Sequence, residues 1–164
     1  MMSLTTGRRA RWQSVSLAAL AAASFAVLAG AAQAGECPAD KRGVDVTKPS
    51  TEAAKDVTDK VLGSIDLAKE KVGLADHQMR LRKLEIKPGG IVPWHSHGDR
   101  PALIYIIEGE VLEYASNCAV PIVHKAGDVA AETSATAHWW KNTGTKTVVL
   151  ISADILHDQK DHNM

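Results

Sequence analysis

Beyond Leu74 the chain alternates apolar and polar side chains with a period of two, the spacing of strands that lay one face on a core. Met79-Arg80-Leu81-Arg82-Lys83-Leu84-Glu85-Ile86 shows it most clearly, and Pro88-Gly89-Gly90 predicts a turn after it. Upstream, Val61, Gly63, Ile65 and Leu67 alternate with more polar neighbours. Val57, Val61 and Ile65 also fit one helical face, and Gly63 decides for a strand. Leu103 to Ile107 is apolar at every position, which predicts a strand buried on both sides. Glu108-Gly109-Glu110 turns it into Val111 to Tyr114. Pro121-Ile122-Val123-His124 then leads to Ala126-Gly127-Asp128, and the β-branched run Thr147 to Ile151 predicts a last strand. Short strands with turn signals about every ten residues describe an all-β sandwich or small barrel. The barrel domain is expected over residues 59–156, after a polar arm at 35–58 containing Pro38 and Pro49 and before a polar tail at 157–164.

Residues 1–34 have a different texture. Arg8, Arg9 and Arg11 form a positive start, Val15 to Leu28 is Ala-rich and apolar, and Ala32-Gln33-Ala34 is a small-x-small cleavage pattern. The apolar run falls short of the roughly 20 residues that a membrane span needs. The segment therefore reads as a cleaved signal peptide, with a periplasmic or secreted product starting near Gly35 and no stable membrane anchor. Both general secretion and, through Arg8-Arg9, twin-arginine export are compatible with it, the residues flanking the pair favouring the first.

The whole chain carries 19 basic and 19 acidic side chains, which removes any electrostatic case for nucleic acid as partner. Loss of the leader removes three arginines and no acid, leaving a net charge of −3. Cys37 and Cys118 both survive cleavage, and an oxidising compartment permits one bridge between them. That bridge would tie down the arm by closing a loop of about 80 residues, worth on the order of 4 kcal/mol in the chain-entropy model. Two free thiols, or thiols paired between chains, are the alternatives.

The chemistry is concentrated in Trp94-His95-Ser96-His97 and Ala137-His138-Trp139-Trp140-Lys141-Asn142. Histidines two apart in an extended segment leave the same face of the strand, which makes half a metal site. His138 is the obvious third ligand, from a strand that a closed sheet could bring alongside. Three neutral imidazoles suit one divalent transition metal ion (Fe, Mn, Ni, Cu or Zn) and leave open positions for water or substrate.

Gly89, His95, His97 and Gly109 fall in register on the motif G-x5-H-x-H-x(3,4)-E-x6-G, and Gly127, His138 and Asn142 fall on G-x5-P-x-G-x2-H-x3-N. From roughly Leu74 to Ile155 the chain therefore resembles the cupin superfamily, and in wording residues 88–102 look like small exported bacterial cupins. The resemblance implies a cupin-type double-stranded β-helix, or jelly-roll barrel, that binds metal through His95, His97 and His138. It departs from the motif where Ala102 stands at the glutamate position, and where Thr133 and Ala135 replace proline and glycine. Without that carboxylate, three neutral histidines leave the full 2+ charge of an ion uncompensated, which favours an anionic ligand. Three alternatives stay open: Asp99, Glu132 or another carboxylate restores a fourth ligand, although Asp99 reads more readily as a surface ion-pair partner of Arg100; the affinity is too low for the cell; or the pocket binds without metal.

Trp140 shares strand parity with His138, and with Ala102 it is expected to line the pocket. Trp94, Trp139 and Tyr105 face the other way by the same count. His77 and His124 read as surface or turn residues, and His157 and His162 as part of a solvated tail.

Two function classes follow. One is a metal-dependent enzyme acting on a small anionic or enolisable molecule, an oxidoreductase of dioxygenase type ahead of an isomerase or lyase. The other is a non-catalytic cupin that binds or senses a small molecule or metal. The two-sided apolar run, with the habit of cupins to pair through such sheets, implies a homodimer.

Overall fold

The computed structural model describes residues 35–157. The signal-peptide reading and His162 lie outside the described residues. Eight strands, β1 (Lys55–Asp66), β2 (His77–Ser96), β3 (Ala102–Glu108), β4 (Glu110–Ala115), β5 (Ile122–Lys125), β6 (Val129–Glu132), β7 (Ala137–Lys141) and β8 (Val148–His157), form one antiparallel, nearly closed barrel. The order across the sheet is β5-β4-β7-β2-β8-β3-β6, with β1 added on β2. The fold is thus the all-β barrel that the alternation and the motifs imply.

Alternation decides which side chains enter the barrel. Leu84 and Ile86 from β2, Ile104 and Ile106 from β3, Val111 from β4, Trp140 from β7, and Val148 and Leu150 from β8 make one apolar cluster. Each fully buried aliphatic side chain of this kind contributes about 1.5–3 kcal/mol. Pro88-Gly89-Gly90 does not reverse the chain as the sequence suggests. It bends one 20-residue strand, which pairs with β8 as far as Ile86 and with β7 from Ile91 onward. One strand can therefore serve both halves of the barrel.

The run Leu103–Ile107 differs from expectation too. Ile104 and Ile106 face inward, while Leu103, Tyr105 and Ile107 are 58%, 48% and 48% exposed. The sheet is a single layer at this point, so only one face of β3 meets a core.

Ahead of β1 the chain is laced over the β4–β5 connection. Gly43 N donates to Asn117 O, Val46 N to Ser116 O, and Ala119 N to Lys41 O, at 2.9–3.0 Å. Cys37 and Cys118 are disulfide-bonded, with Cα atoms 5.8 Å apart, and Cys118 is fully buried with Ala115 and Ile122. Gly109 makes the β3–β4 turn at φ +87°, where a Cβ would press on Thr147 O and Val148 at 3.1 Å. Asn142 is buried and donates from Nδ2 to Ile86 O and Lys146 O, both at 2.8 Å. These two motif residues hold the barrel together rather than reaching the site.

Candidate metal centre

His95 near the end of β2 and His138 in β7 are directly opposed in the antiparallel register, and His97 N donates to Thr136 O just beyond the pair. The three imidazoles are buried and meet at their Nε2 atoms. Nε2 of His97 lies 3.2 Å from that of His95 and 3.1 Å from that of His138, and the remaining edge is 3.1 Å. Nitrogens held at about 2.1 Å from one ion would be about 3.0 Å apart at right angles and about 3.4 Å apart in a tetrahedron. The observed triangle lies between the two.

The other ring nitrogens fix the tautomers. Nδ1 of His95 faces Pro93 O at 3.0 Å, Nδ1 of His97 faces Arg100 O at 2.8 Å, and Nδ1 of His138 faces Glu113 Oε1 at 2.7 Å. Carbonyls and a carboxylate only accept, so each Nδ1 carries the proton and each Nε2 presents its lone pair. Trp140 Nε1 also approaches His138 Nδ1, at 3.0 Å, but the shorter and charged carboxylate contact claims that nitrogen. Burial pushes the pKa of His95 down to about 2 and that of His97 to about 4, with the neighbouring His138 acting in the same direction. Both rings are therefore neutral across the ordinary pH range. Burial opposes a charge on His138 as well, but Glu132 and Glu113 outweigh it and raise its pKa.

Behind His138 lies a polar group that the sequence reading missed. Glu113 is 3% exposed and accepts from both His138 Nδ1 and His124 Nε2, each at 2.7 Å. Burial alone would raise its pKa, but the hydrogen bonds from His124 and His138 win and bring it to about 2. His124, expected at the surface, is fully buried and stacks on Trp140 with ring centroids 4.9 Å apart. The signal for both was parity: Val111, Glu113 and Ala115 share one face of β4, and Ile122 and His124 one face of β5.

Glu132 approaches His138 on the Nδ1 edge, at 3.5 Å, away from the point where the three Nε2 atoms meet. Burial, reinforced by Glu113 and partly offset by His138, pushes its pKa up to about 7. Asp99 pairs with His157 at 3.4 Å on the surface, and Arg100 is buried rather than exposed beside it. His157 stacks on His77.

The space around the three Nε2 atoms is about 20 Å³ and is lined by Arg82, Leu84, Ile104, Trp140, Leu150 and Ser152 along with the histidines. Trp140 thus serves both core and pocket. Ala102 faces inward as expected, but β3 contributes Ile104 to this space, and Ala102 sits between Glu132 and Asp154 on the neighbouring strands. Arg82 is fixed by Asp59 at 2.5 Å and Asp154 at 3.1 Å, while its buried Nε has no hydrogen-bond partner among the described residues.

A family model described as a cupin domain matches residues 82–154, a segment that holds His95, His97, Ala102, Glu113 and His138. No curated protein matches the chain. Among solved structures it is similar to the cupin domain of Schizosaccharomyces pombe Cnp3 (16% identity, 66% of each chain, TM-score 0.48). A conserved protein with a double-stranded β-helix domain from Klebsiella pneumoniae is similar at 19% identity over 66% of this chain and 82% of that one (TM-score 0.49). KdgF from Halomonas sp. is similar at 13% over 63% and 82% (TM-score 0.48). The family match spans both histidine segments, and these are set in an antiparallel barrel, so residues 82–154 form a cupin-type domain.

Proposed function

We propose that the protein is an exported cupin that holds one divalent transition metal ion through His95, His97 and His138 and engages a small anionic ligand there. The observation that carries this reading is the convergence of three Nε2 lone pairs, each set by an acceptor on its own Nδ1. Lone pairs aimed at one point in a buried space repel one another unless a cation lies between them, so the donor set fits a metal. A bound ion of this kind would supply Lewis acidity, or redox chemistry if it is iron, copper or manganese.

The surrounding residues favour an anion. None of the three ligands brings a negative charge, and Arg82, whose buried Nε has no hydrogen-bond partner among the described residues, lines the same space. Trp140 and the aliphatic wall exclude water, which strengthens both effects. Dioxygenase-type chemistry on a small enolisable or anionic molecule is the enzymatic form of this reading. A non-catalytic metal-binding or sensing role is favoured by one observation, the roughly 20 Å³ of free space, which admits a single water-sized ligand.

Pairing into a homodimer is supported by the outer face of the barrel. Leu81, Ala153, Leu103 and Ala131 lie side by side across β2, β8, β3 and β6, flanked by Met79, Tyr105 and Val129, and the larger of these side chains are exposed.

Metal analysis of the processed protein beside its His95→Ala, His97→Ala and His138→Ala variants tests the centre. One ion per chain, lost in each variant, is the expected result. A triple variant that keeps the wild-type stoichiometry would place the metal elsewhere, with the stacked His77 and His157 the first place to look. Sedimentation at micromolar concentration tests the dimer, and a monomer refutes it.

A further inference from the structure

Gly35 is held more closely than the first residue of a surface arm requires. Its N–H donates to Val123 O at 3.0 Å, and its φ is +91°. A Cβ built on it would lie 3.3 Å from His124 Nδ1 and 3.4 and 3.5 Å from Cβ and Cγ of Asp128. A side chain at position 35 is thus disfavoured twice, by backbone conformation and by a close approach to a buried ring. Cys37, two residues on, is pinned to Cys118.

What Gly35 lies against is unusual. With the ring neutral, His124 gives its Nε2 proton to Glu113 and leaves Nδ1 as a bare acceptor, and that atom is buried without a hydrogen-bond partner among the described residues. An acceptor in that position is costly unless a donor or a positive charge faces it. Beside it, the Asp128 carboxylate accepts from Lys125 N through Oδ2, at 2.7 Å, and has lone pairs to spare. A backbone amide at Gly35 has a single N–H, which Val123 already uses.

We infer that export processing hydrolyses the Ala34–Gly35 bond and that the Gly35 α-ammonium so made is a structural part of the barrel, seated between Val123 O, Asp128 and His124. Water adds across the amide, leaving a carboxylate on Ala34 and an ammonium on Gly35. Cleavage therefore creates the additional N–H donors and the positive charge that this corner calls for. Ala32-Gln33-Ala34 supplies the small-x-small pattern at the required place. Through His124 and Glu113 the new terminus also stands at the far end of the hydrogen-bonded series that fixes His138. The inference rests on the export reading but not on the metal, and it is tested on metal-free protein so that the two fail separately.

N-terminal sequencing and intact mass of protein exported with its own leader should show a chain beginning at Gly35. Two metal-free forms, one starting at Gly35 and one retaining Ala34, are then compared with and without Asp128→Asn. The Gly35 form should melt about 3–6 °C higher, the shift expected when one partly buried ion pair is gained in a chain of this size. Asp128→Asn should erase that difference, and the 15N shift of His124 Nδ1 should move between the two forms. A different mature terminus overturns the inference. So do equal melting temperatures for the two forms, or an Asp128→Asn effect of the same size in both.

Discussion

Replacing Glu113 by glutamine keeps the shape of the side chain while removing its charge and one of its two acceptor atoms. The carboxylate is nearly fully buried and receives two hydrogen bonds of 2.7 Å, from His124 Nε2 and His138 Nδ1. Each such charge-assisted bond contributes about 1.5–3 kcal/mol. A glutamine amide can accept from only one imidazole, and its NH2 group forces the other to move its proton to the opposite nitrogen. If that ring is His138, the proton moves to Nε2 and fills the point where the lone pairs meet. If it is His124, the proton moves to Nδ1. The expected outcome is a ten- to hundredfold loss of metal affinity, about 1.4–2.7 kcal/mol. The metal-free protein should lose about 1.5–3 kcal/mol of stability. Competition of Zn2+ between the protein and a chromophoric chelator measures the first, urea titration the second, and long-range 1H–15N correlation the tautomers. A dissociation constant within twofold of wild type, with His138 still protonated at Nδ1, would refute the reasoning. Acid adds a second check. The Glu113 pKa falls from 4.5 to about 2 on folding, so its contribution is complete above pH 4.5 and lost as pH falls toward 2. Glu113→Gln should flatten that limb of the stability curve.

Glu132 has the opposite sign: its pKa rises from 4.5 to about 7, so its contribution to the metal-free protein is complete below pH 4.5 and lost as pH climbs through 7. Urea titrations from pH 4.5 to 8 should show that decline, and Glu132→Gln should remove it; an unchanged slope sinks the assignment. Ala102→Glu puts a third carboxylate between Glu132 and Asp154, and should cost the metal-free protein about 1–3 kcal/mol while making metal rescue larger and azide binding weaker. Azide affinity equal to wild type in the metal-loaded variant would mean that position 102 does not act on the ion. Cys37→Ser with Cys118→Ser should cost about 2–5 kcal/mol in oxidising buffer, and the difference should vanish when both proteins are reduced.

The barrel was legible because a half-buried strand writes its burial into the sequence at every second residue. Leu84 and Ile86, and Ile104 and Ile106, lie inside where their parity puts them. Two misreadings share one cause. Local composition does not decide Pro88-Gly89-Gly90 or Leu103–Ile107, because a Gly-rich segment can bend a strand as well as end it, and an apolar run can lie on an exposed face instead of against a second core. Which of these happens depends on strands far away in sequence. The three histidines were legible by spacing, because residues two apart share a face whatever the sheet does around them.

The residues that tune those histidines were not read, although the information was partly there. Glu113 and His124 occupy inward parity positions of strands whose other inward residues are apolar, and Arg82 shares the inward parity of Leu84 and Ile86. A charged or titratable side chain in such a position has to find a partner inside, because an isolated one is costly to bury. Parity alone could have named Arg82, Glu113 and His124 as buried. It could not pair them, since Glu113 meets His138 only because β4 lies beside β7, and His124 only because β5 lies on the other side of β4. The meeting of the three histidines is thus a property of two local segments, whereas their protonation is a property of the strand order.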